Sequence, residues 1–135
     1  MRHLRSTIHV AAPPEDVFDL FADAKQIPRW YSPKIEVTDV TGRLTAPGAS
    51  YTVVAPSADR TSGLRWMAVR VDRPRVLELS TTDGAAATIV VRFESATGGT
   101  NVILEADSEL PLDLEPEQSL RDFKALVEAE TFVYN

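Results

Sequence analysis

The stretch PEQSLRDFKALVEAETFVYN (residues 116–135) is the only part of this sequence that is long enough, and rich enough in helix formers, to lay an apolar face across a sheet. At about 100° per residue, one side of this helix carries Leu120, Phe123, Leu126, Val127, Thr131, Val133 and Tyr134. Glu130 falls inside the same arc. A carboxyl group in an apolar stripe either shifts its pKa upward or pairs with a cation. Glu130 is therefore a candidate for acid–base chemistry, and a rim position where it reaches solvent or an arginine is the alternative.

The length of 135 residues, with 44% hydrophobic and 25% charged residues, is typical of one soluble domain, so residues 1–135 are predicted to form a single unit. The sequence has no cysteine and two histidines, and we expect neither a metal site nor a cofactor. A net charge of −6 without a basic run argues against binding to nucleic acid or an anionic membrane. No membrane span or signal peptide is recognisable, and a cytoplasmic location is expected.

The predicted elements follow one another as a strand, two short helices, six strands and the long helix. The first strand is residues 6–11, and the short helices are residues 13–23 and 24–30. The later strands are predicted at residues 34–44 (with a bend or bulge), 50–55, 63–71, 76–81, 86–94 and 100–108, with a hairpin turn at Asp83-Gly84. Short turns between strands require antiparallel pairing. The sheet must then curl around the long helix, which is the only element able to cover it.

Several motifs, in this order, resemble a known family. They are IHVAAPPEDVF at residues 8–18, FAD at 21–23, IPRW at 27–30, VDRPRVLEL at 71–79, and Phe93 followed by GGTNV at 98–102. Together they resemble the START-like (SRPBCC) superfamily and, within it, the polyketide cyclase/dehydrase-like group, over essentially the whole chain. No catalytic signature of that group has a match here, and Trp30-Tyr31 stands where the co-chaperone branch has paired tryptophans.

This resemblance implies an α+β helix-grip fold. In that fold a curved seven-stranded antiparallel sheet wraps around a long C-terminal helix, and two short helices lie between strands 1 and 2. A hydrophobic cavity remains between the sheet and the long helix. Members of the superfamily bind lipids, hormones, polyketides and other small apolar molecules, and some catalyse cyclisation or dehydration in the cavity.

The residues expected to line such a cavity are apolar or aromatic. Their positions in the alternating pattern of a strand, or on the apolar side of a helix, predict that they face the core. The predicted ligand-binding residues are Phe18, Trp30, Tyr31, Trp66, Phe93, Leu104, Phe123 and Val127. Trp66 is predicted to point inward from its strand, whereas for Trp30 packing beneath the short helices is favoured over lining the cavity, because a large aromatic residue in a small domain usually fills the core. Glu130 and Tyr51 are the candidate catalytic residues, because a carboxyl or phenol group in the cavity could move a proton at an enolisable carbon.

Other polar residues are predicted to lie outside the cavity. Strand alternation places Arg92, Glu105 and Asp107 on the outer face, where Arg92 can pair with either acid. His9 alternates with apolar neighbours and is predicted to point away from the cavity. Phe132 lies opposite the apolar stripe of the long helix and offers a homodimer contact. Both a monomer and a homodimer are therefore left open.

Three functions fit these observations. The leading one is binding of a small hydrophobic or aromatic metabolite by a polyketide cyclase/dehydratase-like enzyme. The second is a carrier or binding protein for a lipid or another small molecule, without chemistry. The third is a protein-interaction module that docks a partner through its outer sheet face or Phe132.

Overall fold

The computed structural model describes residues 2–31, 36–54, 64–82, 87–108 and 116–133, with side chains for all of these except residues 2, 116 and 130–133. Within these ranges the strands are β1 (Arg2–Val10), β2 (Glu36–Thr38), β3 (Ser50–Val54), β4 (Leu64–Asp72), β5 (Val76–Thr81), β6 (Ala87–Ala96) and β7 (Gly99–Ser108). The helices are α1 (Pro14–Phe21), α2 (Ile27–Trp30) and α3 (Pro116–Val133), and a 3₁₀ turn at Ala24–Gln26 precedes α2.

The seven strands form one antiparallel sheet in the order β1-β7-β6-β5-β4-β3-β2, so β1 and β2 are its edges. The chain moves from one edge to the other through α1 and α2 and then returns strand by strand. Helix α3 packs against the face of the sheet that carries the core. This architecture confirms the predicted helix-grip fold, including the two short helices between the first two strands.

Local sequence explains where the main elements begin and which face they bury. Helix α1 starts at Pro14, where a missing N–H costs nothing, and Glu15 and Asp16 in its first turn complement the helix dipole. In β6 the buried residues alternate as predicted, with Ile89 and Val91 paired to Ala106 and Leu104 of β7. In β7 the alternation is interrupted at Ile103, which is buried although it lies on the opposite face from Val102 and Leu104. On the outer face, Arg92 Nη1 donates to Glu105 Oε1 at 3.1 Å, the predicted cross-strand pair.

The predicted strand over residues 34–44 is wrong in extent, because the described strand is β2, Glu36–Thr38. Asp39 adopts φ 53°, a left-handed conformation that ends a strand. The bend at Asp39 lies within the range for which a bend or bulge was predicted. A separate irregularity, which was not predicted, lies in β4, where the register shifts between Ala68 and Arg70 and leaves Val69 exposed. The predicted hairpin turn at residues 83–84 lies outside the described residues.

The centre of the core is a cluster of aromatic rings that joins α1, α2, β6 and α3. Phe21 lies at ring-centroid distances of 4.9 Å from Trp30, 5.4 Å from Phe123 and 5.7 Å from Phe93. Phe18 meets Phe93 edge-on at 5.2 Å, and Trp30 meets Phe123 at 5.3 Å. Offset and edge-on ring pairs of this kind add stabilisation beyond their buried area. The cluster therefore fixes the two short helices between the sheet and α3.

Two side chains of α3 also tie the helix to the end of the edge strand β1. Lys124 Nζ donates to the carbonyl oxygen of His9 at 2.9 Å, and Glu128 Oε2 accepts from the backbone N–H of Ala11 at 2.9 Å. Partial burial opposes the charge on Glu128, but the hydrogen bonds from Lys124 and Ala11 outweigh it and lower the pKa of this carboxyl. These bonds satisfy edge groups that no strand pairs. The helix is thus held against β1.

The turn between β6 and β7 makes a close contact with the chain that leaves β1. A Cβ added to Gly99 would overlap the carbonyl oxygen of Val10. The neighbouring Thr100 is buried and donates its hydroxyl to the carbonyl of Ala12 at 2.8 Å. Gly99→Ala is therefore expected to destabilise the protein by about 1–3 kcal/mol, since backbone must move to admit the methyl group.

Gly42→Ala is the matched control for this substitution, because Gly42 has the same φ of 158° as Gly99 and no atom within 4 Å of an added Cβ. Urea denaturation of both variants separates the contact from the conformational effect. Equal losses in the two variants would contradict the contact with Val10.

Candidate functional site

The sheet presents aromatic side chains to the core at its β3–β5 end. Tyr51 on β3 pairs with Trp66 on β4, and Trp66 in turn pairs with Thr81 on β5, which places the three side chains in one row. Tyr51 and Trp66 are buried in the core, and the same face of β4 carries the buried Ala68. Trp66 thus lies on the inner face, as predicted from its strand.

Packing is looser at this end of the sheet than around the aromatic cluster. Helix α3 approaches β1, α2 and α1 most closely. Some side chains on the inner face of β2–β4 and on the second half of α3 are only partly buried, although Tyr51, Trp66 and Val127 near them are buried. The partly buried ones are Val37, Val53, Leu64 and Leu126. Tyr31, which follows α2, is likewise half-buried against the core. The apolar region between β2–β4, α2 and α3 is therefore the candidate binding region.

Among the described residues, the polar groups considered at this region are the Tyr51 phenol, the Trp30 indole N–H and the Thr81 hydroxyl, none of which is charged. Burial, reinforced by the nearby Tyr31 hydroxyl, raises the pKa of Tyr51 well above its usual range, so its phenol stays protonated. The buried indole N–H of Trp30 has no hydrogen-bond partner among the described residues. The Thr81 hydroxyl is already engaged, since it accepts from the backbone N–H of Ala87 at 3.2 Å. Tyr51 is thereby suited to polarise a carbonyl group and not to act as a base.

The structure places the remaining predicted ligand-binding residues in the packed core. Those residues are Phe18, Phe93, Leu104, Phe123 and Val127, all of them buried. Phe18, Phe93 and Phe123 contact other rings of the aromatic cluster. Phe93 also lines the larger of the surface depressions described below. Direct contact of these residues with a ligand stays a prediction.

Glu130 belongs to α3 by its backbone, but its side chain lies outside the described residues, as does that of Phe132. Their proposed roles in proton transfer and in dimer contact therefore stay predictions. His9 is exposed, and its Nε2 lies 3.2 Å from the carbonyl oxygen of Thr97, on the side away from the core. This agrees with the outward orientation predicted for it.

Two residues have positions in the structure that the sequence did not single out, Phe21 in the packed cluster beside the candidate region and Leu126 at its border. Phe21 is the hub of the aromatic cluster, and its burial was predictable from the period of α1, but its central position was not. Leu126 belongs to the predicted stripe of α3 and borders the looser region. Its partial burial distinguishes it from Phe123 and Val127 on the same helix.

Two further depressions open on the surface of the described residues. One, of about 330 Å³, lies between β1 and the start of α3 and is lined by Arg5, Ser6, Thr7, Ile8, Glu117, Leu120 and Arg121. The other, of about 640 Å³, is lined by Pro14, Glu15, Pro74, Arg75, Val76, Arg92, Phe93, Glu94 and Ser95. Neither contains Tyr51, Trp66 or Trp30. They are alternative locations against which the candidate region can be tested.

The described residues bring together no three acidic or histidine side chains that could hold a metal ion. In the same part of the chain, no helix has the length and apolar character needed to cross a bilayer.

Comparison with known proteins gives one family and many structural relatives. The sequence matches the family model described as polyketide cyclase/dehydrase and lipid transport over residues 1–130. The crystal structure of TTHA0849 from Thermus thermophilus superposes with a TM-score of 0.74 at 19% identity, covering 96% of this chain and 99% of that one. For NE0264 from Nitrosomonas europaea the TM-score is 0.73 at 14% identity, with 95% of each chain covered.

The solution structure of an AHSA1-like protein from Aeromonas hydrophila gives a TM-score of 0.67 at 24% identity, covering 96% of this chain and 94% of that one. At these identities the structural likeness establishes the fold alone. No curated protein sequence matches the chain.

Proposed function

The chain belongs to the polyketide cyclase/dehydrase and lipid transport family, and we propose that it binds a small apolar or aromatic molecule in the region between β2–β4, α2 and α3. The observation that carries this proposal is the contrast in packing within one core. The aromatic cluster is fully buried, whereas Tyr31, Val53, Leu64 and Leu126 around the candidate region are only partly buried. Small-molecule sites are mostly apolar, with a few oriented polar groups.

Tyr51 supplies one such polar group. Its phenol is buried and protonated, so it can donate a hydrogen bond to a ligand oxygen at any physiological pH. A donor held in a desolvated site also stabilises negative charge that develops on that oxygen. The site is accordingly suited to a ligand that carries a carbonyl group.

The proposed reaction is an intramolecular aldol cyclisation followed by dehydration. The Glu130 carboxylate takes a proton from a carbon next to a carbonyl group, and the Tyr51 phenol stabilises the resulting enolate oxygen. The enolate carbon then forms a C–C bond to a second carbonyl carbon of the same molecule, and the new alkoxide recovers the proton from Glu130. Loss of hydroxide and of an adjacent proton, combined as water, gives the unsaturated ring. The apolar walls contribute by holding the two carbonyl groups close together.

A carrier function is the second candidate, and one observation favours it. Of the two groups proposed for chemistry, Tyr51 is described, and it is a neutral donor and not a base. Proton abstraction therefore depends on Glu130 alone. If Glu130 has no catalytic role, the same site binds and releases its ligand unchanged.

A thermal-shift screen against aromatic polyketides, fatty acids and terpenoids tests the binding proposal. A ligand at 100 times its Kd adds about 2.7 kcal/mol to the free energy of unfolding, which raises the Tm by several degrees. We expect aromatic polyketides to give the largest rise, and Leu126→Asp to abolish it, because this charge would enter the candidate region. Glu117→Gln, an exposed position on the same helix, is the control. No rise with any of the three ligand classes would refute the proposal.

A further inference from the structure

Trp30 carries a buried polar group, its indole N–H, that lacks a partner in the described part of the chain. The residue is 4% exposed, and its indole N–H finds no hydrogen-bond partner among the described residues. Buried side-chain donors are nearly always paired, and one that is not calls for an explanation such as a bound molecule. The indole is held by its neighbours: ring-centroid distances are 4.9 Å to Phe21 and 5.3 Å to Phe123. These two hydrocarbon rings offer at best a weak contact with their π faces.

The position of Trp30 connects this donor to the candidate region. Trp30 ends α2, and its ring lies 6.3 Å from that of Tyr31, the next residue. Tyr31 in turn acts electrostatically on the buried phenol of Tyr51. The indole N–H and the Tyr51 hydroxyl are therefore two neutral donors that each belong to a neighbour of Tyr31, one carried by α2 and the other by β3.

The absence of a buried cation among the described residues favours a neutral ligand acceptor over a charged one. No lysine, arginine or histidine side chain among them is buried; the buried polar side chains outside the aromatic row are Ser50, Thr100, Ser108 and Ser119. A carboxylate ligand in this region would lose its hydration without gaining a cation from these residues, which is costly. A ketone oxygen carries no net charge, so one hydrogen-bond donor is enough to compensate for its lost hydration.

We propose that the indole N–H of Trp30 is a specificity-determining donor, which selects apolar ligands with a ketone oxygen over matched hydrocarbons and carboxylates. This inference rests on the proposed binding function. It assigns Trp30 a role beyond its packing against Phe21 and Phe123. Binding supplies the missing hydrogen-bond partner, so the ketone gains affinity that the hydrocarbon cannot gain.

Three rigid tricyclic probes test the proposal: 9-fluorenone, fluorene and fluorene-9-carboxylate, each titrated calorimetrically. An apolar cavity without a free donor favours fluorene, because the ketone must give up its hydration. We expect wild type to bind fluorenone about fivefold or more tighter than fluorene, as one neutral hydrogen bond can give, and to bind the carboxylate weakest. Trp30→Phe keeps a ring but removes the N–H, and the preference for fluorenone should fall below about twofold.

The control is Phe21→Leu, which loosens the same cluster but keeps the indole N–H, and it should retain the preference. A second measurement is made on wild type. The sequence has two tryptophans, so the indole proton resonance of Trp30 in wild type is the one that is missing from Trp30→Phe. In wild type this resonance should move further downfield with fluorenone than with fluorene.

The outcomes separate the two proposals. Equal affinity for fluorenone and fluorene in wild type, or a preference that persists in Trp30→Phe, overturns the role of Trp30 and leaves the binding function standing. Failure of the protein to bind either probe, together with failure of the thermal-shift screen, overturns both.

Discussion

Phe123→Ala is expected to lower the free energy of unfolding by about 3–5 kcal/mol. Phe123 is fully buried, and its ring lies 5.4 Å from Phe21 and 5.3 Å from Trp30. Truncation leaves a cavity that three elements border and that none can fill without moving. Domains of this size have free energies of unfolding of only about 5–15 kcal/mol. The variant should therefore retain only a small free energy of unfolding.

Urea denaturation measures this loss, and Phe123→Leu, which restores most of the volume, should recover more than half of it. Val69→Ala is the control, because Val69 is an exposed hydrophobic residue at the β4 irregularity, and its loss should stay within about 0.5 kcal/mol. A loss below about 1 kcal/mol for Phe123→Ala would mean that this ring faces open space. Phe123 would then be a wall of the binding cavity and not part of the packed core.

Glu130→Gln is expected to lower product formation by about 10²–10⁴-fold and to leave ligand affinity nearly unchanged. Glutamine has almost the size of glutamate but cannot accept a proton at neutral pH. The measurement uses a polyketide that raises the Tm of wild type and has an enolisable carbon, with product followed by chromatography and mass spectrometry. Glu117→Gln, on the exposed side of α3, should turn over like wild type.

The pattern across these variants distinguishes an enzyme from a carrier. Turnover in wild type that survives Glu130→Gln unchanged would rule out the acid–base role of Glu130. Binding without turnover in wild type would assign the chain to the carrier function. A change in ligand affinity of more than about tenfold in Glu130→Gln, equivalent to about 1.4 kcal/mol, would indicate that this carboxylate binds the ligand.

Much of the fold was predictable because alternation and helical spacing are local properties of the sequence. The buried set Ile89, Val91 and Phe93 in β6 follows from a period of two. The outer pair of Arg92 with Glu105 follows from the same period, and the apolar stripe of α3 from a spacing of three and four residues.

The errors have a different origin, since they depend on contacts between distant parts of the chain. The strand over residues 34–44 stops early because Asp39 turns left-handed and the chain then folds back, with the backbone N–H of Thr41 donating to the carbonyl of Ser50 at 3.0 Å. No local sequence pattern predicts this hydrogen bond between Thr41 and Ser50. The register shift in β4 likewise depends on how β5 packs against it.

The candidate site was predictable as a list of residue types but not as an arrangement. Aromatic and apolar composition indicated Tyr51, Trp66 and Trp30. That the N–H of Trp30 has no partner among the described residues can be seen only once its neighbours are placed around it. The bonds from Lys124 and Glu128 to the β1 edge are a similar case. A lysine and a glutamate four residues apart indicate an ordinary surface pair on a helix, and only the fold shows that they anchor α3 to the first strand.

The most direct test of the central claim is the location of a bound ligand, determined by backbone and indole NMR shifts on titration with the compound that gives the largest thermal shift. We expect the largest shift changes at Tyr51, Trp66, Trp30, Tyr31 and Leu126, around the region between β2–β4, α2 and α3. Largest changes around Arg75, Val76 and Arg92, or around Thr7 and Arg121, would place the ligand in a surface depression and contradict the claim.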